Sequence, residues 1–434
     1  MASSTEQVAR TTPRDLPAAF WWLWSAQLIV WVGRFVVPYM TIFLTSHVGM
    51  SATQAGLVVG AYGIGVVIST LVGGTLADKI GRKRVLVGSE LLSVLALLVI
   101  PLVNDQLFIA VALAVYGLFN GTGGPVISTM VGDLVEPRHR RTAFNYNYWA
   151  VNLGFAVGPL AAGFMAEYSF SILFWAQAAV VLISCVLVIF FVPETHAVTT
   201  RVERIAAAEA APAGRAGLLG VLTDRVFMPF IVIMFLYSIV YVQSTSTLPL
   251  VITAQGLPSS SFGILLAFNG ILLCILQLPT ARLFNRFSRN AVIIVAIAVT
   301  GIGFGMHAFA AALPMYLLAV GIWTLGEMGS HPQAQSLVAD LADPERRGRY
   351  QGVYGLTHSL ALAVGPILGG FVLDHAGSQV LWLSAAGLTV IVCILLALTA
   401  PARSRHLATM LQRDAERRSR TRDSDQDPRL SPIT

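Results

Sequence analysis

Long apolar runs separated by short polar loops set the pattern of this chain. Runs of the required length predict helices at 18–46, 51–78, 84–103, 107–134, 140–167, 171–193, 226–254, 259–284, 289–311, 313–341, 348–374 and 378–401. A bilayer core of roughly 30 Å needs about 20 apolar residues per helix. Backbone polar groups in lipid must be satisfied within the segment, so runs of this kind are helices. The expected fold class is an all-α membrane protein with twelve transmembrane helices.

The loops alternate in charge. Asp78 to Arg84, Glu136 to Arg141, Arg286 to Arg289 and Asp343 to Arg349 are basic, whereas Thr45 to Ser51, Asn104 to Gln106 and Ala254 to Ser259 carry no Lys or Arg. Basic loops stay inside, so both termini are expected to be cytoplasmic in a multi-pass protein of the cell (inner) membrane. Residues 1–17 read as a cytoplasmic segment and 194–225 as a cytoplasmic linker in which Arg201 to Ala211 could form a surface helix. Residues 403–434, charged and poor in large apolar side chains, read as a disordered cytoplasmic tail.

The chain is also a duplication. At a constant offset of 207, Pro332 falls on Pro125, Asp340 on Asp133, Pro344 on Pro137, Gly365-Pro366 on Gly158-Pro159, and Arg289 on Arg82. Two pseudo-symmetric six-helix halves follow, 18–193 and 226–402. Glu327 falls on Asn120, so one half holds a titratable group where the other holds a neutral amide. An ionisable side chain in an apolar span is costly and marks function.

Composition narrows the function classes. With 56% hydrophobic and 12% charged residues, the chain lies far from the soluble average of about 25% charged. The net charge of +6 sits in the loops, where it reports topology and not a nucleic-acid partner. Cys185, Cys274 and Cys393 lie in apolar runs without metal-ligand spacing. H-E-x-x-H, G-x-S-x-G and the P-loop pattern are all missing, which argues against an enzyme and against an ATP-driven pump. The expected partners are the bilayer and a small-molecule substrate, with the proton as coupling ion, no cofactor or metal, and a monomer as the working unit.

Gly73 to Arg84 reads GGTLADKIGRKR, with Gly74, Asp78, Gly81 and Arg82 spaced for a tight turn and an ion pair at the inner end of the second helix. This resembles the signature of the major facilitator superfamily, which implies the major facilitator fold. In the second copy Asn285 stands for the acid and Ser288 for the glycine, so the latch is expected to be stronger in the N-terminal half. Asp133, Asp340 and Arg347, at the inner ends of the fourth and tenth helices, complete the expected conformational latch.

In the fifth helix, Gly154, Gly158-Pro159 and Gly163 have the small-residue spacing that lets helices approach closely, with Gly365-Pro366 as the repeat partner. Within the superfamily this resembles the antiporter signature of drug exporters. The segments Trp323 to Val353 and Phe144 to Leu153 resemble the drug:proton antiporter branch, which implies proton coupling at Glu327. Two departures stand out: Gly117 occupies the place of an arginine in the fourth helix, and Asn147 that of an acid in the fifth.

Arg34 is the candidate replacement cation. It lies roughly 18 Å deep in the first helix and Glu327 roughly 21 Å deep in the tenth, counted at ~1.5 Å per residue. In this superfamily the first, fourth, seventh and tenth helices line the central cavity, so the resemblance puts both groups there, for proton coupling or as a structural ion pair. Desolvation and a neighbouring cation act in opposite senses on a carboxylate, so movement of either partner changes its proton affinity. Cavity candidates are Tyr39, Asn120, Asn147, Trp149, Asn152, Tyr241, Trp323 and His331, with Tyr146, Tyr237, Gln243 and Asn269 at the same level. The expected function is a proton-coupled exporter of small amphipathic compounds; the alternative is a proton-coupled importer of peptides or organic anions, with Arg34 as anion anchor.

Overall fold

The computed structural model describes residues 15–195, 218–284, 286–342 and 346–425. Its elements are α1 Ala18–Val32, α2 Val36–Ile42, α3 Ala52–Ile80, α4 Arg82–Val99, α5 Gln106–Asn120, α6 Gly123–Leu134, α7 Arg140–Tyr168 and α8 Phe170–Phe191. The short α9 Leu218–Leu222 leads to α10 Phe227–Ser246, α11 Leu248–Ala254, α12 Ser259–Phe284, α13 Arg289–Met306, α14 Leu313–Leu341 and α15 Arg347–Asp425. Among the described residues, ten stretches are long and apolar enough to cross a membrane. One of these runs through α15, which is two spans joined at Gly377, where φ is 81°. The one remaining span is α14, the tenth in chain order, made more polar than the rest by Glu327, His331, Gln333, Gln335 and Asp340. The expected twelve-span architecture is present.

Among the described residues, three spans are interrupted. The first breaks at Gly33–Phe35 between α1 and α2, the fourth at Gly121–Thr122 between α5 and α6, and the seventh at Thr247 between α10 and α11. A break inside a bilayer frees backbone groups that must find other partners. At the first, Gln177 of α8 supplies them: its Oε1 accepts from the backbone N–H groups of Phe35 (2.9 Å) and Val36 (2.8 Å). The Gln177 amide nitrogen donates to the Tyr116 hydroxyl at 2.6 Å, which fixes its orientation. The break, and with it Arg34, is thus held from the sixth span. Gln177→Leu should leave two buried donors unsatisfied, at about 1–3 kcal/mol each. The expected result is a clearly lowered unfolding midpoint of the purified protein, while Gln177→Glu, which retains an acceptor, should lose less.

The halves meet chiefly along α3 with the first part of α15, and α7 with α12. Gly63 is needed at the first seam, since a Cβ there would collide with the backbone of Leu362 and Ala363. The apolar core follows the same plan. One cluster joins both halves at the end bearing the Lys- and Arg-free loops, from Tyr39, Phe43 and Tyr62 to Val251, Phe262 and Trp382. Toward the arginine-rich loops it splits into a C-terminal cluster around Phe230 and Leu337 and an N-terminal cluster around Phe20 and Met130. The molecule is therefore sealed at one end and parted at the other.

Two carboxylates pin the sealed end. Asp374 accepts from the backbone N–H groups of Ala52 (3.1 Å) and Thr53 (2.7 Å) and from the Thr53 hydroxyl (2.6 Å), capping the first turn of α3 from the opposite half. Glu167, at the end of α7, accepts from the N–H of Ser260 (3.1 Å) in the first turn of α12. The offset of 207 maps Glu167 onto Asp374 and Thr53 onto Ser260, so the two caps are repeats of one contact. Carboxylates suit helix N-termini because those N–H groups lack intrahelical acceptors.

The last helix runs past 402, because α15 continues to Asp425. Arg403 anchors the extension: it is buried, lies 5.3 Å over the Phe230 ring, and donates to Leu396 O at 2.8 Å and Asn290 Oδ1 at 3.0 Å. Most of the N-terminal segment (1–14) and of the linker (196–217), Asn285, and the end of the tail (426–434) lie outside the described residues.

Candidate functional site: a cavity between two matched triads

A cavity of about 240 Å³ lies between the halves, with Trp31, Arg34, Tyr62 and Phe155 on one side and Tyr241, Asn269, Trp323 and His358 on the other. Apolar walls with a few convergent polar groups are the usual character of a small-molecule site.

On the C-terminal wall, Glu327 of α14 is held by two donors. The Tyr241 hydroxyl donates to Oε1 at 2.6 Å and the Asn269 amide to Oε2 at 2.9 Å. Asn269 is itself buried and donates to Thr324 Oγ1 at 2.9 Å. On the N-terminal wall, Arg34 donates through Nη2 to Asn120 Oδ1 at 3.3 Å, and the Tyr62 hydroxyl donates to the same oxygen at 3.2 Å. The offset of 207 maps Arg34 onto Tyr241, Tyr62 onto Asn269 and Asn120 onto Glu327. The two walls are thus one wiring pattern used twice, with a donor from the first and second helix of each half meeting an acceptor on its fourth. The charge is what differs. One triad carries the cation on its first helix, and the other carries the acid on its fourth.

Glu327 and Arg34 make no ion pair; each makes its hydrogen bonds within its own half. Arg34 also stacks over the Trp31 ring with its Cζ 4.0 Å from the centroid, and its buried Nε has no partner. This leaves the guanidinium donor capacity toward the cavity. Each Glu327 oxygen accepts one bond from a neutral donor and keeps a lone pair for a proton, and both bonds weaken when the carboxylate is neutralised, because charge-assisted bonds are the stronger ones. A proton on Glu327 thereby loosens its hold on the first and second helices of the C-terminal half.

The other candidates separate. Tyr241 and Trp323 line the cavity, with their rings edge to face at 6.0 Å. His331 packs edge to face on Tyr241 at 4.8 Å and has an unpartnered Nε2. Asn147 has a buried unpartnered Oδ1, and Asn152 donates to Tyr148 O at 2.8 Å. Tyr39 is corrected: it belongs to the seal, its hydroxyl donating to Pro159 O (2.9 Å) and Ser259 O (3.4 Å). Trp149 is corrected too, being 65% exposed on an apolar stripe with Leu153 and Val157, the character of a lipid-facing surface. Sequence reasoning missed Tyr62 and His358, which line the cavity. The offset from Asn269 would have found Tyr62; His358 carries no such signal.

At the arginine-rich end, Arg82 pairs tightly with Asp133, and Arg289 with Asp340, each pair staying within its own half. Asp340 therefore takes Arg289 and not Arg347, which is exposed at the start of α15. Both halves keep the pair, because it needs only the arginine and the acid that the duplication preserved. Asp78 is 67% exposed and reaches Arg82 only at 3.9 Å. Gly81 holds φ at 114°, a backbone region that favours glycine, and turns the chain from α3 into α4. Gly74 meets nothing on its Cβ side. Glu194 closes this corner by accepting from the Lys83 N–H at 3.1 Å. In α7, Gly154 packs on Trp31, Gly158 on Val32 and Gly163 on Ser260, while Gly365 meets Val242.

Two six-helix bundles related by a repeat, with interrupted spans and a largely apolar cavity at their interface, are the architecture of a membrane transporter. Sequence comparison gives the family, since the model for the Major Facilitator Superfamily matches residues 23–290 and 248–421, and the chain belongs to that superfamily. It is similar to the uncharacterised MFS-type transporter YttB of Bacillus subtilis, 29% identical over 82% of this chain and 88% of that one. The multidrug resistance protein MdtH of Aeromonas hydrophila is 24% identical over 83% and 88%, and a Na(+), Li(+), K(+)/H(+) antiporter of Planococcus maritimus 25% identical over 76% and 84%. Among solved structures, the peptide transporter POT bound to sulfate superposes with TM-score 0.74 at 16% identity, covering 91% of this chain and 98% of that one. That likeness establishes the fold. The protein is a multi-pass membrane transporter and not an enzyme.

Proposed function

We propose that this transporter couples to the proton gradient and exports small amphipathic compounds from the cytoplasm by alternating access. The observation that carries the reading is Glu327, an acid in the tenth span held by Tyr241 and Asn269, both of which line the cavity between the halves. A proton reaching Glu327 weakens its bonds to both donors and so loosens the wall the substrate touches. The resemblance to the drug:proton antiporter branch and the similarity to MdtH support the direction of export. With both termini in the cytoplasm of a cell (inner) membrane, the sealed end faces outward and the parted end inward. The working unit is a monomer, and the proton is the coupling ion without any cofactor.

Arg34 favours a second reading, uptake of peptides or organic anions with protons, because its guanidinium faces the cavity with donors to spare. Flux in proteoliposomes, with the pH gradient set in either direction and a panel of cationic, neutral and anionic amphiphiles, tests both. Export requires substrate to move against the proton; movement with the proton establishes the importer. In either case Arg34→Ala should lower transport of anionic substrates about tenfold or more, as expected for a charge-assisted bond of about 1.5–3 kcal/mol, and leave neutral ones less affected.

A further inference from the structure

The N-terminal half contains a second acid within its spans. Glu90 of α4 lines a cavity of about 70 Å³ whose walls include Gln27, Trp31, Arg34 and Asn120. Trp31 and Arg34 also line the central cavity, so these two side chains are shared by both spaces. Glu90 accepts only weak contacts, from the Cys185 thiol at 3.2 Å and the Ser184 hydroxyl at 3.4 Å of α8, and it makes no ion pair among the described residues. Gln27 is 6% exposed and its Oε1, an acceptor, has no partner; Arg34 Nε, a donor, has none either. Repeat symmetry places Ile297 opposite Glu90, so nothing in the C-terminal half duplicates the arrangement.

We propose that Glu90 is a second proton-binding site of this transporter, neutralised in turn by a proton and by the Arg34 guanidinium. A carboxylate inside a bilayer cannot stay ionised without a cation or a full set of donors. Cys185 and Ser184 are not that set, which leaves two ways to neutralise it. With Arg34 turned to Asn120 and the central cavity, a proton occupies Glu90 and its O–H can serve the lone acceptor on Gln27. With Arg34 turned to Glu90, the proton leaves to water, for which the cavity has room for about two molecules at roughly 30 Å³ each. The other elements packed around Glu90 add no charge, since 52–77 and 106–132 contain no Asp, Glu, Lys, Arg or His and offer only the phenols of Tyr62 and Tyr116. The site stands independently of the role assigned to Glu327.

Infrared difference spectra of the protein in liposomes, swept in pH without added substrate, test the proposal. Wild type should show an unionised buried carboxyl C=O band whose loss at higher pH coincides with a shift of the Cys185 S–H stretch. Glu90→Gln should remove that band and freeze the S–H stretch, Glu90→Asp should displace the band, and Glu327→Gln should leave both signals. Arg34→Ala should move the Glu90 transition to higher pH by a unit or more. A Glu90→Gln spectrum equal to wild type, or an S–H stretch indifferent to pH, overturns the site. An unmoved transition in Arg34→Ala overturns the exchange with the guanidinium, and loss of the band on replacing choline by Na⁺ at constant pH overturns the proton as its ligand.

Discussion

Replacing Glu327 with Gln is expected to abolish gradient-driven transport while leaving substrate exchange in place. A pH difference of about two units stores about 2.7 kcal/mol per proton, enough for about a hundredfold accumulation of a neutral substrate. Without a titrating group at 327 the accumulation ratio should fall to near one. The amide can still accept from Tyr241, but its nitrogen would face the Asn269 amide nitrogen, donor against donor. A local rearrangement should accordingly accompany the loss. Glu327→Asp separates the two effects, because it keeps the titration and withdraws the carboxylate from Tyr241, and coupling should survive at a reduced rate. Gradient-driven flux equal to wild type in Glu327→Gln would reduce Glu327 to a structural anchor for the seventh and eighth spans.

The second large effect concerns the seam between the halves. Gly63→Val places side-chain atoms where the backbone of Leu362 and Ala363 now runs. Overpacking of this kind costs typically about 1–3 kcal/mol. Only the sealed arrangement bears that cost, so the balance between sealed and open states should shift about 5- to 150-fold toward opening. Spin labels at Ser46 and Thr253, which line one cleft at the sealed end, would report it as a new population at longer distance. Gly74→Val in the same helix is the control, since a Cβ there meets nothing. Matching distance distributions in the two variants would mean that the seam does not depend on the close approach at Gly63.

Much of this was legible in the sequence because membrane helices must be long and apolar and because a duplication leaves a constant register. The span limits, the two halves and the odd position of Glu327 all follow from those constraints. What a span faces does not follow. Trp149 and Ala150 are neighbours in α7, yet one lies on the apolar exposed stripe and the other is fully buried, and only the rotation of the helix decides between them. Glu90 escaped notice because it follows the basic loop after Gly81 closely enough to read as interfacial. Tyr39 misled for the opposite reason: a tyrosine in a cavity helix suggests substrate, while its hydroxyl is taken by two carbonyls of the seal. The triads lay between these cases. Their positions were available from the offset, but their significance rests on hydrogen bonds that no spacing reveals.

The caps formed by Asp374 and Glu167 have a consequence for how such a molecule could arise. Each half contributes one carboxylate and receives one, at equivalent positions. That is the geometry of an isologous interface, the kind that closes a twofold homodimer. Two separate copies of a single six-helix chain would latch onto each other through these contacts without any covalent link. The charges of Arg34 and Glu327 have no such property, because a homodimer would carry each of them twice. Fusion of the halves into one polypeptide is what allows a symmetric gate to enclose an unsymmetric interior.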